Sequence, residues 1–172
     1  MPPAGFSAAT ALDLVRHGAS LQSVADAHTM EEIVRAVHDA LTGLRLGISS
    51  LDERGLRRVA GLELWSIAEI AGHTLRADEA AHQVARSLAL GRVPAVPFPY
   101  GEPGEPAASG ESILAAIQQA EERLAGTRVL AAGGSSYDHA ELGPLNARAW
   151  ILFSGLHAAA HLHQAAAVVR AR

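Results

Sequence analysis

Trp150-Ile-Leu-Phe-Ser-Gly-Leu-His157-Ala-Ala-Ala-His161-Leu-His163-Gln164 is an apolar, alanine-rich run that carries two histidines four residues apart. Alanine and leucine favour helix, so the run reads as helical. A helix advances about 100° per residue, which places i and i+4 about 40° apart and one turn along. The imidazoles of His157 and His161 can therefore turn to one point, while His163, about 200° from His161, faces elsewhere. Two neutral imidazoles on one side of a helix are half of a transition-metal site. The competing reading is a pair of hydrogen-bonded interior histidines, and the metal reading needs a third ligand from another part of the chain. The general base of an H-E-x-x-H protease is missing, because position 158 is alanine.

The rest of the composition agrees with a helical protein. Hydrophobic residues make up 49% of the 172 positions but aromatic residues only 4%, so alanine and leucine supply the apolar mass. Stretches rich in Val, Ile, Thr and Tyr, which would form strands, are scarce. The length suits one domain with a real core. With no cysteine, disulfides, thiolate-ligated zinc and a thiol nucleophile of the chain's own are excluded. With no lysine, so is Schiff-base catalysis. The net charge is −4 and the one basic cluster, Arg54, Arg57 and Arg58, is too small to track a phosphate backbone, so no nucleic-acid partner is expected. Residues 149–169 hold no Asp, Glu or Arg and are long enough to span a bilayer. Their three histidines, a glutamine and many alanines argue instead for the central helix of a soluble bundle, so no membrane partner is expected. The start, Met-Pro-Pro-Ala-Gly-Phe, has no basic region ahead of its apolar residues, and a cytoplasmic location is the expectation.

Taken in order, residues 1–28 read as an N-terminal helical extension, with a short helix over 8–19 that Ser20 to Ala27 continues. His17 and His28 are expected in solvent. Thr29-x-x-Glu32 is a capping box, followed by Ile33, Val37, Leu41, Leu44 and Ile48 as one core stripe. His38 falls beside that stripe, at its exposed edge. A turn of helix is expected near Asp52 to Arg58. Ser66 and Glu69 form a second capping box, and their helix runs through Ile70, His73, Ala81, Val84 and Leu88 to Gly91. His82, about 180° from His73, is expected to be exposed. Five prolines over 92–108 exclude helix there, and Phe98 and Tyr100 pin this long loop to the body or wall a pocket. Ser109 opens a helix that ends at Gly126. Residues 127–143 form a second long loop, loosest at Gly133-Gly134-Ser135-Ser136, and Pro144 fits the first turn of the last helix.

Three pieces of this sequence resemble the DinB-like (YfiT-like) superfamily of bacterial four-helix bundles. Trp65-Ser66-Ile67-Ala68-Glu69-Ile70-Ala71-Gly72-His73 is similar to the family's W-S-x-x-E-[IV]-x-x-H. His139-Ala140-Glu141-Leu142-Gly143-Pro144-Leu145-Asn146-Ala147-Arg148-Ala149-Trp150 is similar to H-P-x-[LF]-G-P-L-x-x-R-x-W. His157-Ala-Ala-Ala-His161-Leu-His-Gln164 is similar to H-E-x-x-H-L-x-Q. In order and spacing the resemblance covers residues 29–170. It implies an all-α, up-down-down-up four-helix bundle in one domain over 1–172, with 1–28 as an extension and two long loops. It also implies that His73, His157 and His161 form a three-histidine divalent-metal site open to a pocket, and nickel or zinc suits three imidazoles. Two positions depart from the family pattern: Ala158 stands where many relatives have Glu, and Ala140 replaces a proline. His139 reads as a loop anchor rather than a ligand. Glu69 reads as a cap that could also accept a hydrogen bond from His73.

Some members of that family activate a low-molecular-weight thiol, others are described as metal-dependent hydrolases, and many have no known activity. The leading expectation from the resemblance is a thiol S-transferase acting on a small-molecule electrophile, with the thiol as co-substrate. A hydrolase and a non-catalytic stress or ligand-binding bundle are the alternatives. The resemblance also implies a homodimer.

Overall fold

The computed structural model describes residues 5–59, 65–95, 98–106, 108–127 and 134–170. Among them, helices α1 (Ala8–Arg16), α2 (Leu21–Asp26), α3 (Met30–Ser49), α4 (Glu53–Leu56), α5 (Ile67–Ala89), α6 (Gly110–Gly126) and α7 (Ala147–Arg170) are joined by one hairpin, β1 (Ser136–His139) and β2 (Gly143–Asn146). The chain is all-α apart from this hairpin.

Local chemistry explains where the helices begin. Thr29 and Glu32 make the reciprocal capping box of α3, and Ser66 and Glu69 make that of α5. Ser7, Ser20, Asp52 and Ser109 cap α1, α2, α4 and α6 through their side-chain oxygens. Gly18, at φ +95°, breaks the N-terminal segment, so α2 is a separate helix rather than a continuation of α1. Gly91, at φ +66°, lies just past the end of α5.

The four longest helices form the bundle. α7 and α6 each pack against both α3 and α5, so α6 and α7 take opposite corners. Gly155 of α7 faces Val37 of α3, and Leu162 faces Gly43, so these two helices run parallel. α5 runs against α7: Ile67 shares a cavity with Leu162 and Ala165, whereas His73 meets His157. α6 follows α5, with Gly110 beside Glu53 and Leu56 and Arg123 bonded to Asp78. The order is up, down, down, up. The stripe Ile33, Val37, Leu41, Leu44 and Ile48 is buried throughout and joins Ile70, Leu88, Ile117, Leu124, Trp150 and Phe153 in one core. Each such side chain contributes roughly 1.5–3 kcal/mol by leaving water.

The N-terminal segment is fastened to this body. α1 and α2 lie on α7, Gln22 accepts from the Asn146 backbone N–H at 2.7 Å, and Arg148 donates to the His28 carbonyl at 3.2 Å. His17 is exposed as expected, but His28 is only partly so, because Phe6 stacks on it with ring centroids 3.6 Å apart.

Two further expectations need correction. Pro144 is not in the last helix. Residues 140–142 form a three-residue turn into Gly143 at φ +71°, which pairs β2 with β1 and places Pro144 opposite Asp138. Helix α7 starts after Asn146, whose Oδ1 accepts from the Ala149 N–H at 2.9 Å. His82 is buried, not exposed, because α5 packs on α6 as well as on α7 and so has a wide buried arc. Its Nδ1 donates to the Asp78 carbonyl at 2.9 Å. Residues 128–133 of the expected loose loop, Gly133 included, lie outside the described residues, and Ser136 opens β1. Among those residues no helix is long and apolar enough to cross a membrane.

The α3–α7 contact makes a test. A Cβ on Gly155 would stand 2.8 Å from Val37 Cγ2 and 3.0 Å from its Cα. Gly155→Val should cost about 1–3 kcal/mol in urea unfolding through overpacking, whereas Gly126→Ala, facing open space, should cost nothing. Equal midpoints for the two variants would contradict this packing.

Candidate metal centre

His73 sits in the second turn of α5, and His157 and His161 sit one turn apart on α7. The antiparallel packing of these helices brings all three rings together, with one ring nitrogen from each within 4.8 Å of the others. Ring centroids are 5.0 Å apart for His73 and His157, 4.9 Å for His73 and His161, and 4.4 Å for His157 and His161.

Hydrogen bonds fix which nitrogen each ring presents. His73 Nδ1 lies 2.7 Å from the Glu102 carbonyl oxygen. A carbonyl only accepts, so Nδ1 carries the proton and Nε2 keeps a lone pair. His161 Nδ1 lies 2.7 Å from Gln164 Oε1, with the same consequence. His157 Nε2 is 3.1 Å from His73 Nε2. Two imidazoles on one tetrahedral zinc, with bonds of about 2.0–2.1 Å, have nitrogens about 3.3 Å apart, so the spacing of this pair suits a shared cation. In the metal-free protein His157 can donate an Nε2 proton to His73, and a cation would replace that bond.

The electrostatics favour the same state. Burial is the largest influence on all three rings and holds each below the usual histidine pKa of 6.5. For His73 and His161, the bonds to Glu102 and Gln164 oppose it in part. His157 is pushed down to about 2 by burial, then by His161 and His73. Neutral imidazole is the form that binds metal. Three neutral, converging nitrogens, two of them held by acceptors behind the ring, fit a divalent ion.

A cavity of about 290 Å³ opens beside His73 and His157. Besides those two histidines, its walls come from four parts of the chain: Leu12 and Val15 of α1, Phe98 to Gly101 of the proline-rich loop, His139, Glu141 and Leu142 around the hairpin turn, and Phe153, Leu156 and Ala160 of α7. His139 is buried at the end of β1 and is not among the three clustered histidines. Its Nδ1 accepts from the Glu141 N–H at 3.2 Å, and the rings of Phe98, Tyr100, Trp150 and Phe153 surround it. It anchors the hairpin turn and the loop to α7. His38 is exposed.

Glu69 is the cap it was read as and does not orient His73: its carboxylate accepts from both the Ser66 N–H and hydroxyl at 2.7 Å. The acceptor behind His73 is instead the backbone carbonyl of Glu102. Ala158 is buried in a small cluster with Ala8 of α1, Ala40 of α3 and Ala159. Gln164 was legible as an i+3 neighbour of His161, on the same helix face. A loop carbonyl has no side-chain signature, and Glu102 could not be found from sequence.

The family model described as the DinB superfamily matches residues 14–165. No curated protein and no solved structure matches the chain.

The buried rings make the metal-free protein acid-sensitive. Each histidine titrates lower in the folded chain than the 6.5 of the unfolded chain, so the unfolded state binds more protons below that pH. Stability is therefore full above pH 6.5 and is lost as the pH falls towards the folded-state values, by on the order of 1 kcal/mol per pH unit per histidine. Urea midpoints of chelator-treated protein should drop between pH 7.5 and pH 5, and His157→Phe should flatten the drop. A midpoint independent of pH over this range would contradict buried neutral histidines.

Proposed function

This chain belongs to the DinB superfamily, and on that premise we propose that it is a divalent-metal-dependent thiol S-transferase, with His73, His157 and His161 holding nickel or zinc. The observation that carries the reading is the cluster of three neutral imidazoles, two of which, His73 and His157, line a largely apolar cavity that holds no thiol and no amine of the chain's own. The chain has no cysteine and no lysine, and alanine fills position 158. The absence of a thiol and an amine supports a small-molecule nucleophile. A bound divalent ion lowers the pKa of a coordinated thiol or water and supplies a nucleophile at neutral pH.

The chain's own residues do the positioning. The Glu102 carbonyl and the Gln164 side chain hold Nδ1–H of His73 and His161, which leaves Nε2 of each as the ligand atom. Phe98, Phe153, Leu156 and Leu12 offer an apolar wall for the body of a small electrophile. Because Leu12 and Val15 belong to α1, the N-terminal extension is part of the site, and we read residues 1–172 as one functional domain.

In the reaction a sulfur–carbon bond forms, the bond from that carbon to its leaving group breaks, and the thiol proton passes to solvent. Metal-loaded protein, given bacillithiol, mycothiol or glutathione with a chromogenic alkyl or aryl halide, should turn over in a thiol-dependent way. His161→Ala should lower that rate on the order of a hundredfold or more. Unchanged activity in His161→Ala contradicts the proposal. Turnover of model esters without thiol would favour a hydrolase in its place.

A further inference from the structure

We propose that the proline-rich loop is a positioning element for His73, latched to α5 by backbone contact between Gly104 and Gly72 and by Arg76, so that loop docking and metal affinity rise and fall together. This rests on the metal reading above.

Gly72 directly precedes His73 inside α5. Glycine in a helix interior costs about 1 kcal/mol relative to alanine, so its presence asks for a packing reason. The reason is on the adjoining loop. A Cβ on Gly72 would stand 2.9 Å from Gly104 Cα. A Cβ on Gly104 would stand 2.6 Å from both the Glu69 carbonyl oxygen and Gly72 Cα. Helix and loop backbones therefore touch, and the contact admits no side chain on either residue. At the same point the Gly104 N–H donates to the Glu69 carbonyl at 2.8 Å.

Two residues earlier in the loop, the Glu102 carbonyl accepts from His73 Nδ1. Arg76, one turn beyond Gly72, donates to the Glu102 carbonyl at 3.1 Å and to the Pro103 carbonyl. The loop carbonyl that sets the tautomer of His73 is thus held from both sides. Pro99, Pro103 and Pro106 restrict the free loop and lower the entropy lost on docking. If the latch opens, Nδ1–H loses its acceptor, the ring is free to rotate, and Nε2 no longer faces His157. Linkage makes the coupling reciprocal, so metal should hold the loop down as firmly as the loop holds the ligand.

The test uses the full chain with two readouts. One is the imidazole tautomer of His73 in metal-free protein, from long-range proton–nitrogen spectra of nitrogen-15-labelled samples. The other is zinc affinity, from competition with a chromophoric chelator. Wild type and Gly126→Ala should show the single Nδ1–H tautomer and equal affinity. Gly104→Ala and Arg76→Met should show mixed tautomers and zinc binding weakened by roughly 10–100-fold. Arg76 is exposed, so Arg76→Met decides the matter if Gly104→Ala fails to fold. Wild-type tautomer and affinity in both variants would overturn the latch. A wild type that binds no zinc contradicts the metal reading, and the tautomer still decides the latch.

Discussion

The antiparallel packing of α5 on α7 is the constraint on which the rest depends. One histidine from the start of α5 meets two from the middle of α7 only because the two helices run against each other in one register. A shift of a single residue along α7 would move an i, i+4 pair about 100° around its helix and turn it away from α5. Large buried residues of both helices, Ile70, Trp150, Phe153 and Leu156, share the core that holds that register. Core packing here positions the three histidines as well as stabilising the fold.

Three further elements then close around the histidines. α1 lies on α7, with Ala8 buried in one cluster with Ala40, Ala158 and Ala159. The hairpin turn is anchored by buried His139, and the Tyr100 hydroxyl accepts from the Ala140 N–H at 3.3 Å. The proline-rich loop touches the backbone of α5 at Gly72. Each supplies a cavity wall, and the loop also supplies the acceptor behind His73. A largely apolar pocket with neutral imidazoles at one side results from packing more than from any single polar residue.

Features that depend on near neighbours were legible in the sequence. Capping boxes at Thr29 and Ser66, the stripe from Ile33 to Ile48 and the His157/His161 pair are all local, and all stand as read. His73 was different: nothing within α5 distinguishes a ligand from an interior histidine, and only resemblance joined it to α7. Features that depend on other elements were missed. The burial of His82 comes from α6, and the hairpin at Pro144 comes from a left-handed Gly143 that composition does not reveal. The Glu102 carbonyl belongs to a backbone whose path depends on two glycines 32 residues apart in the chain (Gly72 and Gly104).

The central claim is that three histidines hold one divalent ion. Elemental analysis by inductively coupled plasma mass spectrometry, on untagged protein beside a His157→Ala/His161→Ala variant, tests it most directly. About one equivalent of nickel or zinc is expected in the wild type and none in the variant. A wild type that takes up no metal after reconstitution, or a variant that keeps its full equivalent, would contradict it.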